Sequence, residues 1–353
     1  KYTPYRSLSD FRKVSVVIPE YGETLEVFER TLKSVAENKP YEIIVVHDDG
    51  NPEIAEVARR YGAKVYSFPQ RVGKRRALVQ GWRMATGDII VHVDSDEIVH
   101  KGAIEELVKP FEHEKVVGVQ GKNLVYRTGS WFAWRMSQLI EVNRDWNNKA
   151  LDGCLVVVDG RFNAWRRSWL LNHAEEFLSE TFLGEKCEIG DDRWLTWKAN
   201  LEGLRTVYQA TAVAETASPP TYKGYIKQQL RWTRSGYKFF FQDFSSKLIR
   251  KVPWQYIMFQ TCYYLGALSF TFAVIHDAIF AEPLNLIPLW AIPPVMIIGS
   301  GLIALIHRLA VDFNSITLQE FLMLGASSIF IHYPLMLYAL FTIKRQANWE
   351  TRL

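Results

Sequence analysis

The first half of the chain alternates between short apolar runs and amphipathic stretches. The apolar, β-branched runs predict strands over Val14–Pro19, Glu42–His47, Lys64–Phe68 and Asp88–Val93. The amphipathic stretches predict helices over Thr24–Ala36, Pro52–Tyr61 and Lys74–Ala85. Continuous apolar strands that are each followed by an amphipathic helix indicate a parallel sheet covered on both faces. The pattern therefore predicts an α/β domain.

The last third of the chain is dominated by long apolar runs. Between Val252 and Ile343 only five side chains are charged, although 23% of the whole chain is charged. Three runs have the length that a membrane-crossing helix needs, about 20 residues: Trp254–Ile275, Leu286–Ile306 and Phe321–Ile343. The alternative is that these runs are buried helices of a large soluble core. We favour membrane helices, because three consecutive runs of this length are rare in soluble folds.

Two further segments have the pattern of amphipathic helices lying at a membrane surface. Residues 222–244 carry Lys, Arg, Tyr and Phe at roughly helical spacing, and Trp131–Trp146 is rich in aromatic residues. The expected organisation is a cytoplasmic domain over 1–217, an interfacial region over 218–251 and a transmembrane region over 252–353. Because the chain starts at Lys1 rather than Met, we expect that an N-terminal segment precedes it.

Composition excludes several classes of protein. The chain has 353 residues, is 48% hydrophobic and carries a net charge of +4, which gives no signature of nucleic-acid binding. The three cysteines, Cys154, Cys187 and Cys262, are far apart and have no zinc-ligand spacing, so neither a disulfide scaffold nor a zinc site is expected.

Polar residues cluster where the predicted strands end, which is the edge at which open α/β sheets bind ligands. Asp48, Asp49 and Gly50 follow the second strand, and the fourth ends in Asp94-Ser95-Asp96. An Asp-x-Asp pair suits Mg²⁺ or Mn²⁺ shared with a phosphate. Lys74 opens a helix directly after Gly73, which favours an anion site. Each signal alone is weak, since each motif is more often a solvated turn or helix start; their recurrence after successive strands favours a site.

Four motifs follow one another in a fixed order ahead of the apolar runs. They are Asp48-Asp49, Asp94-Ser95-Asp96, Gly190-Asp191-Asp192-Arg193 and Gln228-Gln229-Leu230-Arg231-Trp232. This order resembles the signature of the processive, membrane-bound glycosyltransferases of family 2. The longer matches, GDDRWLT from Gly190 and QQLRWTRS from Gln228, are most similar to hyaluronan synthases and to chitin and chitooligosaccharide synthases. The resemblance spans nearly the whole chain and implies a GT-A fold.

The resemblance also implies a donor site for a UDP-sugar. Tyr21 and Glu23 correspond to contacts with the nucleoside, although Gly22 replaces the usual Asn. Asp48, with Asp49 beside it, corresponds to a uridine contact, and Lys74 to a contact with the nucleotide phosphates. The metal, Mg²⁺ or Mn²⁺, would be held by Asp94 and Asp96, of which Asp96 is the expected direct ligand. There it would stabilise the leaving diphosphate.

The remaining motifs correspond to the acceptor side and to catalysis. Asp192 is the candidate general base for an inverting transfer, and Asp191 is the neighbouring acid that orients the acceptor or the base. The alternative for this pair is that it caps a helix. Gln228 and Arg231 correspond to contacts with the donor diphosphate, and Trp232 to a platform for the acceptor sugar.

A strand is predicted over Cys154–Val158, and the residues after it correspond to an acceptor-side loop. The family's usual Ser-Gly-Pro there reads Val158-Asp159-Gly160 in this chain, which puts acceptor identity in doubt.

The interpretation is an inverting β-glycosyltransferase at the cytoplasmic face of the plasma membrane that elongates a polysaccharide. UDP-GlcNAc, with or without UDP-GlcA, is the expected donor, and the growing glycan and the lipid bilayer are the expected partners. Three helices are few for a channel that secretes a glycan. Such a channel would require additional helices or a second subunit in a homo-oligomer. The first alternative is a non-processive family 2 enzyme that moves one sugar to a polyprenyl phosphate or another lipid. The second is a degenerate transferase that binds a nucleotide or sugar without catalysis.

Overall fold

The structure is a computed structural model that describes residues 2–6, 13–48, 51–280, 317, 319, 323 and 326–346. Asp49 and the apolar run Leu286–Ile306 lie outside the described residues. The start of the run Phe321–Ile343 is described only in part.

Ten strands and eleven α-helices make up the described chain. The strands are β1 (Val14–Glu20), β2 (Glu42–His47), β3 (Lys64–Ser67), β4 (Ile89–Val93), β5 (Ile98–Val99), β6 (Val116–Tyr126), β7 (Phe162–Arg166), β8 (Thr181–Phe182), β9 (Glu185–Lys186) and β10 (Arg205–Ala217). The helices are α1 (Leu25–Glu37), α2 (Pro52–Arg60), α3 (Lys74–Met84), α4 (Ala103–Val108), α5 (Trp131–Ala150), α6 (Arg167–Asn172), α7 (Ala174–Ser179), α8 (Asp191–Leu201), α9 (Tyr222–Ser245), α10 (Trp254–Phe280) and α11 (Tyr333–Phe341). Short 3₁₀ turns cover Lys109–Glu112 and Leu248–Arg250, and a π-helical turn, Ser328–His332, precedes α11.

Eight strands form one sheet in the order β3-β2-β1-β4-β7-β6-β10-β5. The four strands predicted from the apolar runs are parallel neighbours, which confirms that part of the prediction. The rest of the sheet is mixed, because β7 is antiparallel to both β4 and β6, and β5 is antiparallel to β10. A strand inserted between two others by a long connection leaves no periodic signal in the sequence.

Helices cover both faces of the sheet, as the pattern predicts. Successive residues of β1 point to opposite faces: Val16 packs in the core that contains Phe28 of α1, and Val17 in the core that contains Trp82 of α3. The side chains of Val16, Val17, Phe28 and Trp82 are all fully buried. Both faces of the central strands are therefore dry, which explains why these strands are apolar throughout.

The strand predicted over Cys154–Val158 is wrong. The structure has only isolated bridges there, from Gly153 and Cys154 to Thr206. The segment is held as a loop by side-chain oxygens: Leu155 N donates to Thr206 Oγ1 and Val158 N donates to Thr196 Oγ1, each at 2.8 Å. These hydroxyls satisfy buried amides that would otherwise need a neighbouring strand.

Helix α9 is anchored to the α/β domain by a buried ion-pair network. Glu180 accepts from Arg75 Nη2 at 2.7 Å and from Lys238 Nζ at 2.9 Å, so it joins α3 to α9. Gly190, at φ +72°, lies so close to α9 that a Cβ there would be 2.1 Å from Ser235 Oγ. The segment before α8 is also tied to the C-terminal part of the chain, because Glu188 N and Ile189 N both donate to the Gln346 carbonyl.

A helix, α10, covers the first long apolar run. Of the helices in the described part of the chain, none combines the length and the hydropathy that crossing a membrane requires. The three membrane spans and the boundaries at 217 and 251 stay predictions.

Candidate active site

The site lies at the sheet edge where β1, β2 and β4 end. These strands are parallel, so their carboxyl ends meet at one edge. Lys74, the first residue of α3, lies between two of the predicted motifs: its Nζ is 2.6 Å from Asp94 Oδ1 and 3.8 Å from Asp191 Oδ2. One ammonium group thus joins the end of β4 to the start of α8. The structure brings together residues that are about a hundred positions apart in sequence.

Asp48 fixes the approach to Lys74. Its two carboxylate oxygens accept from Val72 N at 2.6 Å and from Gly73 N at 2.9 Å. Gly73 has φ +91°, a conformation that favours glycine, and α3 begins at the next residue. Asp48 therefore fixes the conformation of the turn that directly precedes Lys74. Its expected contact with uridine stays a prediction.

The residues expected at the nucleoside lie at the end of β1. The Arg71 guanidinium lies over the Tyr21 ring, 4.3 Å from its centroid. The Glu23 amide donates to Glu20 Oε1 at 2.9 Å, and the other carboxylate oxygen of Glu20 is hydrogen-bonded to the buried His47 ring. The fold thus fixes the backbone of this loop through Glu20, a residue that the sequence analysis did not single out.

Asp94 and Asp96 suit a divalent cation that shares its coordination with phosphate. Burial raises the pKa of Asp94, the Lys74 charge lowers it, and the nearby Asp96 charge raises it again. A cation relieves this burial and like-charge repulsion. Among the described residues, no group of three or more His, Cys, Asp or Glu side chains is placed to hold a metal ion. Two carboxylates are nevertheless enough where substrate phosphates complete the coordination of Mg²⁺. The donor set therefore fits the metal, with Asp94 and Asp96 as the residues that would hold it.

Asp191 and Asp192 occupy the first turn of α8. The N-cap position belongs to Gly190, so the alternative in which this pair caps the helix is wrong. Asp192 Oδ1 accepts from Arg193 N at 2.7 Å, and Oδ2 accepts from Gly160 N at 3.2 Å.

The electrostatic surroundings of Asp192 suit a proton acceptor. Burial raises the pKa of Asp192 to about 6, with the charges of Asp191 and Asp159 adding to the rise and Lys74 opposing it. A carboxylate with a pKa near the working pH accepts a proton more effectively than an ordinary one. The geometry and the charges therefore support Asp192 as the base.

Trp232 is connected to Asp192 through Arg144, to which the sequence analysis assigned no role, and through the Asp159-Gly160 segment. The Arg144 guanidinium lies 4.6 Å from the centroid of the Trp232 ring. Arg144 Nη1 donates to Asp159 Oδ2 at 2.6 Å, and the next residue, Gly160, donates to Asp192. The altered Val158-Asp159-Gly160 segment was the only sequence signal for this connection.

Gln228 and Arg231 lie half-buried on α9, and Arg231 directly precedes Trp232. Their expected contacts with the donor diphosphate stay predictions. Asp49 lies outside the described residues.

Comparisons with known proteins identify the family and the fold. A family model described as "Glycosyltransferase like family 2" matches residues 12–235. A hyaluronan synthase from Streptococcus pyogenes is 31% identical, over 99% of this chain and 86% of that enzyme. An N-acetylglucosaminyltransferase from Azorhizobium caulinodans is 30% identical, over 96% of this chain and 87% of that enzyme. Among solved structures, a mannosyltransferase from Pyrobaculum calidifontis, in complex with GDP-Man and Mn²⁺, has a TM-score of 0.61 at 18% identity, covering 98% of this chain and 92% of that one. The last similarity supports the GT-A-like fold.

Proposed function

This chain belongs to glycosyltransferase family 2, and we propose that it is an inverting, metal-dependent β-glycosyltransferase that elongates a polysaccharide from a UDP-sugar. The observation that carries the proposal is Lys74 Nζ, which lies 2.6 Å from Asp94 and 3.8 Å from Asp191. This contact supports the proposal because it joins Asp94, which we assign to the diphosphate side, to Asp191, which we assign to the acceptor side. The relatives named above support UDP-GlcNAc, with or without UDP-GlcA, as the donor.

The donor side stabilises a leaving nucleoside diphosphate. A divalent cation, when bound at Asp94 and Asp96, neutralises the charge that grows on the diphosphate. Lys74 adds a second positive charge at the same place, and Asp48 holds the turn that precedes it. Burial lowers the pKa of Lys74, but the surrounding carboxylates raise it further, so its amine stays protonated.

The acceptor side activates a sugar hydroxyl. Asp192 takes the proton of the attacking hydroxyl while its oxygen attacks the anomeric carbon from the face opposite the diphosphate. Gly160 N and Arg193 N hold the two oxygens of Asp192 in a fixed direction. Trp232 offers an indole face for the acceptor sugar, and Asp191 helps to orient the base.

We also propose that the chain works at the plasma membrane with its catalytic domain in the cytoplasm. The support is a set of exposed apolar side chains on α9, α10 and α11, including Phe241, Trp254 and Phe341. Flotation of the protein with liposomes tests this, because a chain that stays at the bottom of the gradient contradicts it.

A panel of UDP-sugars tests the reaction. The purified protein is incubated with each donor and Mn²⁺ or Mg²⁺, and UDP release and product length are measured together. If one UDP-sugar alone yields polymer, that UDP-sugar is the donor. If polymer forms only when two UDP-sugars are supplied together, both are donors. A single sugar on a lipid acceptor would contradict elongation and favour the non-processive alternative. UDP release in the wild type and its loss in Asp192→Asn, with UDP binding retained, exclude a non-catalytic scaffold.

A further inference from the structure

The indole ring of Trp232 contacts a charged side chain. One of its faces is covered by the guanidinium of Arg144, from α5, at 4.6 Å from the ring centroid. A planar guanidinium over an indole is a favourable cation–π contact. Since a sugar stacks on one flat face of an aromatic ring, Arg144 leaves the opposite face for the acceptor.

Arg144 is itself held by two carboxylates. Its Nη1 donates to Asp159 Oδ2 at 2.6 Å and to Glu141 Oε1 at 2.9 Å. Arg161 pairs with the same two carboxylates, each at 2.7 Å. Two cations and two anions form a closed and nearly neutral cluster, in which the orientation of the Arg144 plane is fixed from two sides.

The cluster is connected to the candidate base through the backbone of the Asp159–Gly160 loop. Gly160 N donates to Asp192, and the Asp159 carbonyl accepts from Asn163 Nδ2 at 2.7 Å. Asn163 Oδ1 is in turn 3.0 Å from the Nδ1 of His92, a buried side chain in β4. The loop is therefore anchored to the sheet on one side and to Arg144 on the other.

We propose that Arg144, held by Asp159, is a positioning residue for the acceptor: it fixes the plane of the Trp232 indole and its place relative to Asp192. This inference rests on the proposed function, because it takes Trp232 as the acceptor platform. The cluster pairs two cations with two anions, so it suits a neutral sugar on the indole face opposite Arg144. The occupant is the terminal, uncharged sugar of the growing glycan, such as an N-acetylhexosamine.

The test uses the full chain and compares Arg144→Met with Arg135→Met. Arg135 is a matched control, since it lies on the same helix, stacks on Trp134 at 5.1 Å and donates to a neutral amide, that of Gln138. The assay titrates a short N-acetylglucosamine oligosaccharide as acceptor at saturating donor. It also measures UDP release without acceptor, in which water is the only nucleophile.

For Arg144→Met we expect KM for the oligosaccharide to rise by about 2- to 30-fold, the range from an exposed to a desolvated cation–π contact. The donor KM stays at the wild-type level and the acceptor-free UDP release changes far less than the acceptor KM, whereas Arg135→Met leaves all three unchanged. A merely structural role would instead lower all rates together. Arg144→Lys keeps the charge beside Asp159 but loses the planar stack, so we expect an acceptor KM between those of the wild type and Arg144→Met. If Arg144→Met does not fold, the acceptor KM of Arg144→Lys tests the proposal.

Trp232→Ala separates this inference from the proposed function. If Trp232→Ala raises the acceptor KM but neither Arg144 variant does, the role of Arg144 is wrong and the platform stands. If Trp232→Ala itself leaves the acceptor KM unchanged, the proposed platform is wrong and the inference falls with it. If the acceptor KM changes equally in the Arg135 and Arg144 variants, the proposal that Arg144 specifically positions the acceptor is wrong.

Discussion

The contact between Gly190 and Ser235 sets the position of the candidate base relative to the acceptor platform. Gly190 directly precedes Asp191-Asp192, and Ser235 lies one turn after Trp232 on α9. A Cβ at Gly190 would lie 2.1 Å from Ser235 Oγ and 3.2 Å from Ser235 Cβ, with Phe239 Cε2 at 3.4 Å. Rotating the hydroxyl away leaves the contact with Ser235 Cβ, so Gly190→Ala requires α8 and α9 to move apart by a few tenths of an ångström.

The cost has two separable parts. At φ +72°, an alanine pays about 1–2 kcal/mol for the left-handed conformation. Overpacking a filled site typically costs about 1–3 kcal/mol more. We therefore expect Gly190→Ala to lower the free energy of unfolding by about 2–5 kcal/mol. The resulting shift of α8 is expected to reduce kcat by less than the roughly 100-fold loss that a misplacement of about 1 Å causes.

A double-mutant cycle measures the two parts by denaturant unfolding and UDP release. Ser235→Gly combined with Gly190→Ala is expected to recover the steric part, with a coupling free energy of about 1–3 kcal/mol, and most of kcat. Gly203→Ala is the matched control, since Gly203 has φ +75° and an added Cβ meets nothing within 4 Å. It should show only the conformational cost and a normal kcat. A coupling near zero would refute the reasoning.

Four further outcomes are expected. Asp192→Asn should lower kcat by about 10²- to 10⁴-fold while UDP still binds in calorimetry, and wild-type activity there would remove Asp192 as the base. In the wild type, the rate of UDP release should fall as the pH drops through about 6, because the pKa of Asp192 is raised to about 6 and its protonated form cannot accept a proton. Asp159→Asn removes a negative charge that raises this pKa, so it should move the acid limb of the pH–rate profile to lower pH. Removing metal with EDTA should abolish UDP release and added Mn²⁺ or Mg²⁺ should restore it, whereas Asp94→Asn should blunt the restoration; activity that survives EDTA contradicts the metal site. Glu180→Gln leaves the Arg75 and Lys238 charges buried without a counterion, so denaturant unfolding should show a loss of about 3–5 kcal/mol, and a neutral effect would contradict the anchoring of α9.

The sequence by itself determined the local structure and the chemical types. The apolar runs identified β1, β2 and β4 because these strands are buried on both faces. The fourth predicted strand, β3, lies at the edge of the sheet and is mostly exposed. The amphipathic stretches placed the starts of α1, α2 and α3 to within a residue, and the Thr24 side chain, which accepts from Val27 N, caps α1. The order of the acidic motifs and the Arg231-Trp232 pair indicated the family, which the comparisons confirm.

The tertiary structure decided which of these residues meet. The antiparallel insertion of β7 between β4 and β6, and the loop at 154–158, depend on long-range pairing and on buried hydroxyls, neither of which has a periodic signature. The contacts of Lys74 with Asp94 and Asp191 arise because parallel strands end at one edge. The same holds for Arg144, an ordinary helix cation in sequence. Its role comes from the ring above it and the carboxylates beside it, since only distance in space makes charges and rings interact.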